Sequence, residues 1–126
     1  MPLSNPPSYF ISAKGQAHTR TLTDAAGDVA YTGYGFQPRV VIVVGYAASV
    51  ALSVGIATLT EQTCLVQLGD GSATGRNDAN VVIFDLGSSE YQRGALKSFD
   101  IDGFTLTWTK NGTPSGTGYL FAVAIR

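Results

Sequence analysis

Between Asp102-Gly103 and Asn111-Gly112 runs Phe104-Thr105-Leu106-Thr107-Trp108-Thr109, a strict alternation of large apolar and threonine side chains. A period of two belongs to a β-strand, whose successive side chains point to opposite faces; a helix would scatter the apolar set around its axis. Threonine is β-branched and suits the same pleated surface. The segment predicts a strand with Phe104, Leu106 and Trp108 in a core and Thr105, Thr107 and Thr109 toward water, as in antiparallel sheet covered on one side. Asp-Gly and Asn-Gly are hairpin signals, so the flanking segments should also be antiparallel strands.

The same grammar extends along the chain. From Gln16 onward, short apolar or threonine-rich runs alternate with turn residues. Candidate strands are His18–Thr23, Asp28–Tyr34, Arg39–Gly45, Ala51–Ala57, Thr63–Leu68, Val81–Leu86, Gly94–Asp100, Gly103–Lys110 and Gly118–Ile125. The breaks carry turn chemistry, as in Asp24-Ala25-Ala26-Gly27, Gly87-Ser88-Ser89 and Asn111-Gly112-Thr113-Pro114. No apolar stripe of helical period and no internal repeat is present. The run Tyr119–Ile125 is apolar on both faces and should be covered on both sides, by a facing sheet or by another subunit. The expected fold is all-β: an antiparallel β-sandwich, jelly-roll-like, of about 8–9 strands, forming a single domain over residues 16–126.

Ahead of it, residues 1–15 hold Pro2, Pro6 and Pro7 and end at Gly15. They read as an extended arm outside the sandwich. Its large apolar residues Tyr9, Phe10 and Ile11 are candidate anchors on a neighbouring copy or an underlying shell; the alternative is that they cap their own sandwich.

No charged residue occurs from Val40 to Thr60, a length that fits a membrane helix. The content argues for two strands instead. Residues 40–44 are β-branched throughout, and Leu52, Val54 and Ile56 alternate with Ala51, Ser53, Gly55 and Ala57. No basic cluster flanks the segment to orient it in a bilayer. The small-residue face of Ala51, Ser53, Gly55 and Ala57 should allow close approach of a second sheet or subunit, and these four are candidate interface residues.

Charged residues make up only 13% of the chain and the formal net charge is −1. That excludes a highly charged disordered chain, and it leaves no basic excess for phosphate contacts, so no nucleic-acid partner is expected. So little charge on a lone domain implies either a surface solvated by Ser, Thr, Asn and Gly or one covered by partners. The single cysteine, Cys64, permits no internal disulfide, and the first ten residues carry no secretory-signal pattern.

Sites for chemistry are sparse. The one histidine, His18, reads as an outward strand residue with no nucleophile motif beside it. Cys64, in Thr63-Cys64-Leu65-Val66, reads as a small core hydrophobe. The segment from Gly69 to Asn80 is rich in oxygen ligands and partly fits a calcium-loop template, but Val81 stands where the bidentate Glu belongs. It reads as a long solvated loop; Asp70, Asn77, Asp78 and Asn80 are its candidate ligand contacts. Asp100 and Asp102 could form an acid–base pair, yet turn chemistry accounts for both. No catalytic set, metal site or cofactor is implied.

Two segments carry a resemblance. Gly35-Phe36-Gln37-Pro38-Arg39-Val40-Val41-Ile42 is similar to a turn leading into a β-branched strand in small tailed-phage and prophage structural proteins. Ser98-Phe99-Asp100-Ile101-Asp102-Gly103-Phe104-Thr105-Leu106-Thr107-Trp108 resembles their near-C-terminal hairpin. The resemblance spans residues 34–126. It implies a non-enzymatic virion component, made in the host bacterial cytoplasm, that decorates and stabilises a capsid or belongs to a tail. It further implies a homo-oligomer, expected to be a trimer, in contact with major capsid or tail proteins. The alternative is a carbohydrate- or receptor-binding module of a tail fibre or tailspike, using the loop oxygens with Tyr31, Tyr34 or Tyr91 as exposed stacking surfaces. A small hydrolase lacks its catalytic residues.

Overall fold

Phe104, Leu106 and Trp108 are buried to 1% exposure or less, while Thr105 and Thr107 are half-buried and Thr109 is exposed. The alternation therefore reads out as expected. The structure, a computed structural model, describes residues 12–47, 51–67 and 74–126. Among these residues there is no helix. The strands are β1 (Ala13–Thr21), β2 (Gly27–Tyr31), β3 (Val40–Ala47), β4 (Ala51–Ala57), β5 (Gln62–Gln67), β6 (Thr74–Asn77), β7 (Val82–Asp85), β8 (Tyr91–Asp100), β9 (Gly103–Asn111) and β10 (Thr117–Ile125). All pair antiparallel, in a six-stranded sheet ordered β1-β10-β3-β4-β5-β6 and a four-stranded sheet ordered β2-β9-β8-β7. The two sheets form a β-sandwich.

Several boundaries differ from the sequence expectation; β2, for one, ends at Tyr31 and not at Tyr34. β1 starts at Ala13, so residues 13–15 belong to the sheet and not to an arm; Tyr9, Phe10 and Ile11 lie outside the described residues. Ala13–Gln16 has no apolar alternation of its own. It is recruited because β10 is apolar along its length and pairs with it from Ile125 to Thr117. β8 starts at Tyr91, three residues earlier than expected, where β9 and β7 supply partners on both sides. β6 falls inside the segment read as a long loop. Thr-Gly-Arg-Asn carries no strand pattern, and only pairing with Cys64–Gln67 makes it one.

The core lies between the sheets. Val41, Val43, Leu120, Ala122 and Ala124 face Tyr31, Phe84, Phe104, Leu106 and Trp108. The Phe84 and Trp108 rings stack with centroids 5.7 Å apart. Near β4 the sheets come very close. A Cβ on Gly55 would sit 1.8 Å from the Val81 carbonyl oxygen; farther along the sheet, on β10, one on Gly118 would enter the Phe84 ring at 2.6 Å. The backbone N–H of Ile83 donates to Ser53 Oγ at 3.1 Å. Ala51, Ser53, Gly55 and Ala57 are thus the bed for β7 of the same chain. This corrects their assignment as an oligomer or shell interface: the close approach their small side chains permit is intramolecular, and it leaves them buried.

Candidate functional site

Antiparallel register places each large residue of the six-stranded sheet on a known face. Tyr119 pairs with Tyr46 and Tyr46 with Leu52; Phe121 pairs with Val44, Val44 with Val54, and Val54 with Leu65. One row lower, Val123 pairs with Ile42 and Ile42 with Ile56. All of these side chains point away from the four-stranded sheet. Leu52, Val54 and Ile56 are 43–45% exposed, Tyr119 is 53% and Leu65 is 63% exposed. Tyr46 and Tyr119 stack with ring centroids 6.0 Å apart. The strands of this face bring charge only at the β6 edge, where Arg76 is held by Asp78 at 2.6 Å. Sequence reasoning noticed this alternation in β4 but assigned contact to its small-residue face.

The outer face of the four-stranded sheet differs. It presents Thr107 and Thr109 with Asp28, Arg93 and Lys97, and Asp28 accepts hydrogen bonds from both Thr107 and Lys97. Those two donors pull the Asp28 carboxyl below its ordinary range. This is a solvated surface, and the large apolar face is its opposite.

At the β1 side the interior is polar. The inward side chains of β1 each cross to the segment around β2. Lys14 Nζ donates to the Gly33 carbonyl (2.7 Å), Gln16 to that of Thr32 (3.4 Å) and Arg20 to that of Ala25 (2.7 Å). His18 Nε2 shares a 2.8 Å hydrogen bond with the Tyr34 hydroxyl. His18 is therefore inward, half-buried between the sheets, and not the outward strand residue the sequence suggested. Burial lowers its pKa from 6.5. Desolvation likewise pushes the Tyr34 hydroxyl up to about 12. Arg20 also donates to Gln92 Oε1 (2.9 Å) and lies over the Trp108 ring, whose Nε1 donates to the Tyr31 hydroxyl (3.0 Å). Each of these groups has an internal partner, that of the imidazole being the buried Tyr34 hydroxyl. The network is a brace between sheets.

The remaining candidates are also structural. Asp102 accepts from the backbone N–H of Gly33 (2.9 Å) and Gly35 (2.6 Å), which lowers its pKa; it ties the β8–β9 hairpin to the loop entering β3. Asp100 accepts from Ser98 and Thr105. Both carboxylates are thus engaged in turn and strand bonds. Cys64 is buried, and desolvation raises its thiol to about 11.

In the expected ligand loop, Asp70 lies outside the described residues. Asp78 is held by Arg76 and by the Thr63 hydroxyl, which bring it down to about 2. Asn77 Oδ1 accepts from Ala79 N and Asn80 Nδ2, and Asn80 is buried. Tyr31 and Tyr34 are buried, not exposed, and Tyr91 is half-covered with the Arg93 guanidinium 3.7 Å over its ring. Of the residues expected to meet a sugar, Tyr31 and Tyr34 are thus used internally, while Asp78 stays at the surface. Among the described residues, no three His, Cys, Asp or Glu side chains converge on a possible metal position, and no helix is long and apolar enough to cross a membrane.

Compared with known proteins, the chain matches no family model, no curated protein sequence and no solved structure.

Proposed function

We propose that this chain is a non-enzymatic structural component of a bacteriophage virion, one that decorates and reinforces the capsid through contacts made by its sheet surfaces. The observation that carries the reading is the apolar outer face of the six-stranded sheet. A face built from Val44, Tyr46, Leu52, Val54, Leu65, Tyr119 and Phe121 and left open to water is suited to contact with protein. The polar groups inside the sandwich support the same reading, because they are spent on joining its sheets. Such a body is rigid and carries little charge, which suits a surface-coating protein. The resemblance of residues 35–42 and 98–108 to phage structural proteins supplies the setting. Its partners would be copies of itself and the major capsid or tail proteins.

The test is co-purification. Particles released from bacteria that express this sequence with an epitope tag are banded in a density gradient. The expected result is tagged protein at many copies per particle, kept through repeated banding. Tagged protein that stays wholly at the top of the gradient, with particles present below, overturns the reading.

A further inference from the structure

We propose that the outer face of the six-stranded sheet is where copies of this chain pack against one another, face to face, around the row Phe121–Val44–Val54–Leu65. This names the partner of the face on which the virion reading rests.

Size comes first. Four strands at a spacing of ~4.8 Å, followed over six residues at ~3.3 Å each, give β10, β3, β4 and β5 a flat apolar area of roughly 400 Å². That is the size of the largest apolar patch on an ordinary monomer, which is often a functional surface. Including β1 and β6, the whole face is about 600 Å², so two faces together remove roughly 1,200 Å², the lower end of what a specific interface buries. A peptide or a small ligand would leave most of this uncovered.

Composition comes second. Valine, leucine and isoleucine with the stacked Tyr46–Tyr119 pair occupy the middle. Thr19 and Thr21 on β1, and Thr74 and the paired Arg76 on β6, form the edges. An aromatic-rich apolar centre with a polar rim is how protein interfaces are built. Nor is there a row of Lys or Arg around the patch, as a face resting on anionic lipid would carry.

Self-complementarity comes third. Since the apolar centre has no charge, a second copy meets it without like-charge repulsion, and no partner of opposite charge is called for. Sheets that pack face to face do so about 10 Å apart with interdigitated side chains, and every residue of the central row is long enough to take part.

The experiment is sedimentation velocity on the full chain at roughly 10 µM, a concentration at which a micromolar contact is populated. The expected result is a dimer, because one face packed against its own copy closes a two-fold contact. Val54→Asp, which places a charge at the centre of the contact, should raise the dissociation constant about a hundredfold or more. Thr109→Asp, on the outer face of the other sheet, should leave it unchanged. Circular dichroism reports whether each variant is folded; should Val54→Asp fail to fold, Leu65→Lys near the β6 edge takes its place. Three results overturn the proposal. One is a wild-type chain that is monomeric, whether its face binds a hydrophobic dye or is shielded by residues 1–11. Another is an oligomer dissociated by Thr109→Asp and not by the outer-face variants. The third is a monomer that floats with phosphatidylcholine vesicles, which assigns the face to lipid. A monomer found at many copies in purified particles would remove this inference and leave the virion reading standing.

Discussion

The two long sides of the sandwich are joined in opposite ways. On the β4–β7 side the sheets touch through backbone: Gly55 lies under the Val81 carbonyl, and Ser53 caps the Ile83 N–H. On the β1–β2 side they stand apart, and Lys14, Gln16, His18 and Arg20 reach across. Small residues allow contact without a gap, and long polar residues fill a gap with hydrogen bonds. The first solution has no slack, because packed backbone cannot move away from an added atom. The second has slack, because a long side chain can re-form its bonds and its partners stand near water. The comparison teaches that tolerance to substitution should fall sharply from β1 to β4 within a single sheet.

The largest expected effect is at the closed side. Gly55→Val puts branched carbons where the Val81 carbonyl stands, and neither strand can retreat without losing its ladder. The loss should exceed about 4 kcal/mol, seen as failure to fold or as a collapse of the thermal midpoint. A Gly55→Val protein that melts like wild type would break the comparison. Trp108→Ala comes next, because its ring stacks on Phe84 toward one side and lies beneath Arg20 toward the other. A cost of about 3–5 kcal/mol is expected in chemical denaturation. Arg20→Met keeps the apolar stem and removes the guanidinium. It strips the donor from Gln92 Oε1 and the Ala25 carbonyl, and should cost roughly 2–3 kcal/mol. A value near zero would show that the brace on the β1 side is not needed at all.

The smallest effect is the dependence on pH through His18. Its pKa is lowered in the fold, so the folded state prefers the neutral imidazole. Its contribution is complete above the unfolded value of 6.5 and declines as pH falls through 6.5 toward the lower folded value. The thermal midpoint should therefore drop between pH 7.5 and pH 5, and His18→Gln should flatten that slope. The lowered carboxyls of Asp28, Asp78 and Asp102 act only below their ordinary value of 3.8, outside this window. A slope unaltered in His18→Gln would locate the effect elsewhere.

Most strands could be read in advance because their residues alternate or are β-branched. The β8–β9 hairpin was legible from Asp102-Gly103 alone. β6 was not, since Thr74–Asn77 has no β-forming pattern and is a strand only through its neighbour β5. The brace was illegible for a related reason. His18 and Tyr34 lie sixteen residues apart, and Arg20 and Gln92 seventy-two; no local signal foretells that long polar side chains will point inward. Tyr31 and Tyr34 were misjudged as exposed because nothing local in the expected strand Asp28–Tyr34 says which face is covered; the Trp108 indole and the His18 ring bond their hydroxyls inside the sandwich.

By itself, the sequence determined that this chain forms antiparallel strands, where most of them turn, and that β9 buries Phe104, Leu106 and Trp108. Period-two alternation of apolar with polar residues suffices for that, since only one face of such a strand can leave water. For β4 it does not suffice. Ala51, Ser53, Gly55 and Ala57 on one face and Leu52, Val54 and Ile56 on the other are both compatible with burial. Only the tertiary structure decided between them. β7 must cross where Phe84 can stack on Trp108, and at that distance only the face of small side chains leaves room for its backbone. The larger side chains face outward because the described residues form two layers, with no third among them.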